Sequence, residues 1–123
     1  MTAITSRRIA EAVGIKAGAV SADGSGGITT NYMDMTNARK GLVFAQVSTG
    51  AVDTIQLREA TDDEGTDAQD LGDAVTIGES EGYLEIDAVE LSDGFTHLAA
   101  VVTADGANPT SATLVEGDRR FNP

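Results

Sequence analysis

Short runs of alternating apolar and polar residues follow one another along the chain after residue 27. The most regular run is 83–88, where Leu84 and Ile86 fall on one side and Tyr83 and Glu85 fall on the other. Side chains of a β-strand change face with this period of two. The run therefore predicts a strand with one face in the core and one face in water.

Two other runs, at residues 41–49 and 95–103, are apolar in both phases of the alternation. This pattern is typical of strands covered on both sides, so both runs are predicted to be buried, and the first to be a central strand. The turn Thr49-Gly50-Ala51 favours a hairpin between the first run and the strand after it. Further strands are predicted at residues 28–35, 52–60, 74–77, 83–91 and 111–116.

Turns rich in Gly, Asp and Pro separate these runs, at a spacing of roughly ten residues. Short strands at such a spacing indicate a sandwich or a barrel. The predicted fold class is all-β, an antiparallel β-sandwich or barrel of seven to eight short strands with an extended N-terminal arm.

The first part of the chain allows two interpretations. Residues 7–13 can form a short helix capped by Ser6, or residues 13–19 can continue as a strand, since their apolar positions alternate. The glycine-rich segment 21–27 predicts a flexible joint. We therefore expect an N-terminal arm over residues 1–23 and a β domain over residues 24–123.

The composition predicts a thin core. Leu, Ile, Val and Phe together account for 27 of the 123 residues, only slightly above the roughly 20% below which a charged chain tends to be disordered. Much of the remaining apolar content is alanine, which buries little area per residue. Such a domain is expected to gain stability by forming a homo-oligomer or by docking on a larger partner.

The net charge of −12 is unevenly distributed. Fourteen acidic residues and one arginine lie between Asp53 and Asp93, whereas the rest of the chain is nearly neutral. Such a segment repels phosphates, so nucleic acid is not an expected partner. Few lysines together with dense carboxylates are also typical of proteins adapted to high salt, although a solvated acidic face is the favoured interpretation. No apolar run reaches the roughly 18 residues of a membrane helix, so no membrane is expected as a partner either.

The acidic loop at residues 61–73 is the first place to look for a cation site. Its carboxylates can supply oxygen ligands to calcium or magnesium, but their spacing does not fit the EF-hand pattern. A solvated loop is the favoured interpretation, so no metal and no other cofactor is predicted. The candidate ligands in this loop are Asp62, Asp63, Asp67 and Asp70.

The residues that catalysis needs are scarce. His97 is the only histidine, cysteine is absent, and no serine lies in a G-x-S-x-G motif. A hydrogen-bonded histidine in a sheet is the favoured interpretation of His97. Five aromatic residues without tryptophan do not readily line a sugar-cleaving cleft. The chain is therefore predicted not to be an enzyme and to have no small-molecule substrate.

Both ends of the chain carry arginines next to apolar residues. Arginine and aromatic residues are enriched at the hot spots of protein interfaces, although a frayed terminus explains the same residues. The acidic middle of the chain is expected to face solvent. The predicted partner-binding residues are Arg7, Arg8, Ile9, Arg119, Arg120 and Phe121.

Short motifs follow one another in a distinctive order between residues 24 and 123. They are Gly26-Gly27-Ile28-Thr29-Thr30-Asn31-Tyr32, the apolar strand 42–47, Leu57-Arg58-Glu59-Ala60-Thr61-Asp62, Gly65-Thr66-Asp67-Ala68, Glu85-Ile86-Asp87-Ala88, Asp93-Gly94-Phe95 and Arg120-Phe121-Asn122-Pro123. In this order they resemble small structural proteins of the head decoration or cement type. Such proteins occur in tailed viruses, either phages or archaeal tailed viruses.

The resemblance implies a non-enzymatic virion protein, made in the host cytoplasm and located on the capsid surface. There it would bind the outer face of the major capsid protein shell and stabilise it as a homo-oligomer, a trimer or a dimer. Many copies at fixed spacing make weak contacts collectively strong. Two alternatives stay open, namely a tail, neck or other virion β protein and a cellular calcium- or carbohydrate-binding β module.

Overall fold

The computed structural model describes the backbone of residues 13–119 and the side chains of residues 18–117. This part of the chain forms ten strands and one short 3-10 helix, and none of its helical segments is long and apolar enough to cross a membrane. The elements are β1 (Val13–Ser21), β2 (Ile28–Thr29), β3 (Met33–Asp34), β4 (Ala38–Val47), β5 (Val52–Ala60), β6 (Gln69–Asp70), β7 (Val75–Glu79), β8 (Glu81–Asp87), the 3-10 helix (Ala88–Glu90), β9 (His97–Ala104) and β10 (Thr110–Arg119).

The strands form two antiparallel sheets. Sheet A has the order β1-β10-β4-β8, and sheet B places β2 and β3 beside β9, followed by β5 and then by β6 and β7. We count β2 and β3 as one position and β6 and β7 as another, and we number the resulting eight positions along the chain. The positions then lie in the order 1-8-3-6 across sheet A and in the order 2-7-4-5 across sheet B. This is the strand order of a jelly roll. The prediction of an all-β antiparallel sandwich is confirmed.

The chain crosses between the sheets at most of its connections. Residues 48–51 lead from β4 in sheet A to β5 in sheet B, so the hairpin predicted at this turn is wrong. The turn itself forms, because Gly50 adopts a φ of +86° and the amide of Ala51 donates to Asp105 Oδ1 at 3.0 Å. Turn residues specify a reversal of the chain, but they do not specify which sheet receives the next strand.

The core between the sheets is built from small side chains. Of the seventeen buried residues of the hydrophobic core cluster in the described chain, five are alanine, four are valine and none is aromatic. The largest apolar side chains with full burial are Met33, Ile55, Leu98 and Leu114. Because alanine removes little apolar area from water, this core is as thin as the composition predicted.

The N-terminal part of the described chain is an edge strand of sheet A. β1 pairs with β10 along its whole length, with a bulge between Ile15 and Ala17. The strand interpretation of residues 13–19 is therefore right, and the arm predicted over residues 1–23 includes a strand of the sandwich. Apart from Val13, the helix predicted over residues 7–13 lies outside the described residues.

The glycine-rich segment 21–27 is a hydrogen-bonded turn rather than the flexible joint that its composition predicted. The amide of Gly24 donates to the carbonyl of Asn108 at 3.1 Å, and the carbonyl of Gly24 accepts from the amide of Ala104 at 2.9 Å. A Cβ atom at position 24 would collide with Thr110. Glycine is needed here for close packing of the backbone.

Two predicted strands are shorter in the structure because local hydrogen bonds interrupt them. The run 28–35 divides into β2 and β3 at Thr30, whose hydroxyl accepts from the amide of Ala100 at 3.0 Å. The run 83–91 ends as a strand at Asp87, where the carboxylate of Glu90 accepts from the Asp87 amide at 3.0 Å and holds a 3-10 turn.

The two strands predicted to be buried on both faces differ. In β9, Leu98, Ala99 and Ala100 are all fully buried, as predicted. β4 lies centrally between β10 and β8, but its outer face is open and Phe44 is 47% exposed. The prediction of two-sided burial is therefore wrong for β4, because no loop of the described chain crosses the outer face of sheet A at Phe44.

Candidate functional site

The two ends of the chain join the sandwich at one corner of sheet A. Val13 of β1 pairs with Gly117 of β10, and Arg119 pairs with Ala38 of β4. The topology therefore attaches both arginine-bearing segments to the same corner. Of the predicted partner-binding residues, Arg119 is described only in its backbone, and those outside the described residues are Arg7, Arg8, Ile9, Arg120 and Phe121.

The same end of the sandwich carries the acidic loop. The amide of Thr96 donates to the carbonyl of Ala60, directly before the loop, at 3.1 Å. The amide of Met35, shortly before β4 begins, donates to the carbonyl of Thr96 at 2.8 Å. The acidic loop therefore lies at the same end of the molecule as the corner where the two arginine-bearing segments join the sandwich. The sequence separates these parts of the chain.

Two carboxylates of the acidic loop hold the loop itself together. Asp62 accepts from the amides of Glu64 at 3.2 Å and Thr66 at 3.1 Å. Asp67 accepts from the amide of Thr61 at 3.0 Å and from its hydroxyl at 2.8 Å. Hydrogen bonds from Thr66 and Thr61 hold the pKa values of Asp62 and Asp67, respectively, below the ordinary range.

The other two candidate cation ligands lie apart from this arrangement. Asp70 forms a salt bridge with Arg58, with 2.5 Å between Oδ1 and Nη1, and Asp63 is exposed. Within the described ranges, no three acidic or histidine side chains come together as ligands for a metal ion. Asp62 and Asp67 accept hydrogen bonds from within the loop, and Asp70 connects the loop to Arg58 of β5.

His97 begins β9 at the same end of the molecule. Its Nδ1 atom lies 2.8 Å from the hydroxyl of Thr96, and its backbone is in register with Asp34 of β3. The hydroxyl of Thr36 holds the pKa of Asp34 below its ordinary value. His97 is therefore a hydrogen-bonded residue of the sheet, as the sequence favoured.

Glu59 of β5 is a buried carboxylate that the sequence analysis did not single out. It is 1% exposed, and it accepts from the amide of Ser92 at 2.7 Å and from Gln69 Nε2 at 2.6 Å. Burial opposes its ionisation, but these hydrogen bonds outweigh burial and hold the pKa of Glu59 below its ordinary value. Glu59 fastens the loop before β9 and strand β6 to β5, which is a structural role.

The outer face of sheet A carries the exposed aromatic residues of the described chain. Phe44 on β4 and Tyr83 on β8 are opposite each other in the register and are 47% and 66% exposed. Their ring centroids are 6.0 Å apart, with 45° between the ring planes. Together the two rings form an apolar surface on the solvent side of the sheet.

A groove lies beside this pair and runs across the strands. Val20 of β1, Ser111 of β10, Gln46 of β4 and Glu81 of β8 follow one another in register, and Gln46 Nε2 donates to Glu81 Oε2 at 3.2 Å. Two depressions of about 430 and 580 Å³ adjoin at Gln46 and Glu81. We call this surface the sheet-A groove, defined by Phe44, Gln46, Glu81, Tyr83 and Ser111.

The charge along the sheet-A groove is negative. Glu81 of β8 lines it together with Glu79 of β7, a strand of sheet B, and Glu85 follows on the outer face of β8. Lys40 of β4 forms a salt bridge with Glu85 at 3.3 Å. The groove therefore combines apolar rings and an amide of sheet A with carboxylates of β8 and β7.

Sequence reasoning missed this surface for an identifiable reason. It assigned Tyr83 correctly to the solvent face, but it placed Phe44 on a covered face. The signal was present in β4, where Val43, Ala45 and Val47 already fill the core-facing phase. Only the pairing of β4 with β8 brings the two rings together.

Comparisons with known proteins extend the description of the fold. No family model matches the chain, and no curated protein matches it. Among solved structures, the SPBc2 prophage-derived protein YomS is similar, with a TM-score of 0.50 and 12% identity over 80% of this chain and 85% of YomS. At this identity the likeness shows the fold alone. The chain and YomS share a β-sandwich.

Two further similar structures have lower scores. The family 11 carbohydrate-binding module from Clostridium thermocellum has a TM-score of 0.46 at 10% identity, over 89% of this chain and 88% of the module. The C-terminal extracellular domain of Mycobacterium tuberculosis EmbC has a TM-score of 0.46 at 15% identity, over 89% of this chain and 40% of that domain.

Proposed function

We propose that the chain is a virion structural protein of a tailed virus and decorates the capsid. In this role it binds the outer face of the major capsid protein shell, as a trimer or a dimer, and stabilises the shell. The observation that carries the proposal is the attachment of both arginine-bearing segments to one corner of sheet A, since Val13 pairs with Gly117. In the proposed role, the two segments, which continue from this corner, would provide a single attachment point.

The thin core agrees with such a role. A sandwich whose buried residues are largely alanine, valine and other small side chains has little stability to lose before it unfolds. Binding to the folded state alone stabilises it by mass action. Repeated copies on a regular shell add multivalency, so a modest contact for each copy suffices.

The motif order described above and the prophage origin of YomS, a protein of the same fold, also support a viral setting. The proposed role needs no catalysis and no cofactor. The acidic groups exposed on the sandwich keep neighbouring copies apart and soluble on a crowded surface.

The test is the copy number and position of the protein in purified virus particles. Hundreds of copies at symmetry positions on the shell are expected. A dozen copies or fewer, in a ring at the neck or tail, would favour the alternative of a tail or neck protein. Absence from particles would contradict both.

A truncation tests the attachment point. Deletion of residues 1–12 leaves β1 and its pairing with β10 complete, so the domain is expected to fold while its occupancy on the capsid decreases. A longer deletion to residue 20 is unsuitable, because it removes β1 from sheet A. Full occupancy by a folded protein without residues 1–12 would refute the role assigned to this end.

A further inference from the structure

The exposed aromatic pair of sheet A is unusual for a chain with so few aromatic residues. The core of the described chain contains no aromatic side chain, yet Phe44 and Tyr83 are 47% and 66% exposed on the outer face. Large apolar side chains are normally the first to be buried. Contiguous exposed rings with a polar rim mark sites of interaction.

Polar groups adjoin the rings on the same face. The amide of Gln46 donates to Glu81, and this bond orients the planar ends of both side chains beside Phe44 and Tyr83. Ser48, Ser80 and Ser111, which carry hydroxyl groups, are among the residues that line the neighbouring depression. Apolar ring faces beside amide, carboxylate and hydroxyl groups are the chemistry that a sugar ring requires, because its C–H face is apolar and its hydroxyls both donate and accept hydrogen bonds.

The charge of the groove excludes one class of ligand. Glu79 and Glu81 line it directly. Sulfated, phosphorylated or uronic acid chains would be repelled by these carboxylates. A second copy of this chain is disfavoured as well, because a symmetric contact would place the same carboxylates opposite each other.

The extent of the groove favours an internal segment of a chain over a single end group. The row from Val20 to Glu81 crosses all four strands of sheet A, which corresponds to about 14 Å at the usual spacing between strands. The two depressions share Gln46 and Glu81 as lining residues, and both are open to solvent rather than closed cavities. A short run of sugar units fits such a surface.

We propose that the sheet-A groove binds an uncharged polysaccharide, with sugar rings stacked on Phe44 and Tyr83 and sugar hydroxyls bonded to Gln46 and Glu81. This binding function is additional to the decoration role. It does not depend on that role, because it concerns the isolated sandwich. On a virion, it would attach the particle to glycans of a cell surface.

The experiment is native affinity electrophoresis of the full chain in gels that contain one polysaccharide each. The uncharged polymers are mixed-linkage β-glucan, laminarin, glycogen, xylan and galactomannan, and the anionic polymers are polygalacturonate and heparin. Retardation is expected in at least one uncharged gel and in neither anionic gel. Because the chain has no tryptophan, tyrosine fluorescence provides an independent titration with soluble oligosaccharides of the retarding polymer.

Single substitutions connect the binding to the groove. Phe44→Ala and Tyr83→Ala are each expected to weaken binding by about tenfold or more. Tyr83→Phe keeps the ring, so it should retain binding while losing most of the fluorescence change. The matched control is Val89→Ala, because Val89 is 85% exposed on the 3-10 helix and lies outside the groove. Circular dichroism and thermal unfolding establish that each variant is folded.

Several results would overturn the proposal. These are retardation by none of the uncharged polymers, binding that both folded alanine variants retain, or binding of polylysine with no binding of any sugar. The last result would assign the groove to a basic protein partner. A dimer that Phe44→Ala dissociates would assign it to a second copy of the chain.

Discussion

The outer faces of the two sheets differ in what covers them. On sheet B, loops of the chain itself cover the strands, and Ala99 on the outer phase of β9 is fully buried. On sheet A, the outer phase of β4 and β8 presents Phe44 and Tyr83 to solvent. The same fold therefore has one face partly covered by its own loops and one face on which two aromatic rings are exposed.

The closure of sheet B depends on polar contacts with the acidic loop. Arg58 of β5 forms a salt bridge with Asp70, donates to the carbonyl of Ala68 at 3.1 Å and donates to the hydroxyl of Tyr32 at 3.4 Å. These groups have their partners within the molecule. On sheet B, Arg58 and Tyr32 connect the loops to the strands, whereas on sheet A the rings of Phe44 and Tyr83 are exposed to solvent.

Substitution of Glu59 is expected to give the largest change in stability among the tests of this difference between the sheets. Glu59→Ala leaves the amides of Ser92 and Gln69 without their buried acceptor and is expected to lower the free energy of unfolding by about 3 kcal/mol. Urea denaturation measures the change. Glu64→Ala removes an exposed carboxylate of the same loop and should change the free energy by less than about 0.5 kcal/mol. Equal effects of the two substitutions would contradict the anchoring role of Glu59.

A pair of glycines tests the packing of the acidic loop against Tyr32. Gly65 and Gly72 have φ angles of +70° and +69°, so alanine at either position carries the same backbone strain, about 1 kcal/mol. A Cβ at Gly65 would lie 2.5 Å from the Tyr32 ring, whereas a Cβ at Gly72 would meet no atom within 4 Å. Gly65→Ala should therefore cost about 2 kcal/mol and Gly72→Ala about half of that. Equal melting temperatures of the two variants would refute the ring contact.

The sequence predicted the fold class well because alternation is a local signal. Residues 52–60 form β5 with the bounds that the pattern indicated, and Ile86 is buried while Tyr83 is exposed, as predicted. The partner of each strand was not predictable in the same way. The turn at residues 49–51 was correctly found, yet it connects two sheets, because pairing depends on strands distant in sequence.

The candidate site could not be predicted from local sequence patterns for the same reason. Phe44 and Tyr83 are unremarkable separately, and they become neighbours only through the register of β4 with β8. Glu59 had a readable signal, because it continues the core-facing phase of Ile55 and Leu57. A carboxylate in an apolar phase indicates a buried group with hydrogen-bond partners, but it does not identify them.

Acid provides a third test, through the pKa of Glu59. This pKa lies below its ordinary value of 4.5, so the carboxylate stabilises the folded state above that pH, and the stabilisation is lost as the pH falls through the lowered value. The difference in unfolding free energy between the natural protein and Glu59→Gln should be constant from pH 8 to about pH 5.5. Below pH 4.5 this difference should decrease. Asp62 and Asp67 titrate equally in both proteins, so their contributions cancel in the difference. A difference independent of pH down to 3 would show that the charge of Glu59 contributes nothing.

The smallest expected change in unfolding free energy comes from a substitution on the outer face of sheet A. It tests whether the exposed ring of Tyr83 is needed for the fold. Tyr83→Ala removes an exposed ring whose only described ring contact is with Phe44, so the loss in unfolding free energy should stay below about 1 kcal/mol. Urea denaturation beside Glu59→Ala makes the comparison direct. A loss above about 2 kcal/mol would make Tyr83 a structural residue, like Tyr32 on sheet B. A small loss would show that the fold does not require the Tyr83 ring, unlike the buried carboxylate of Glu59.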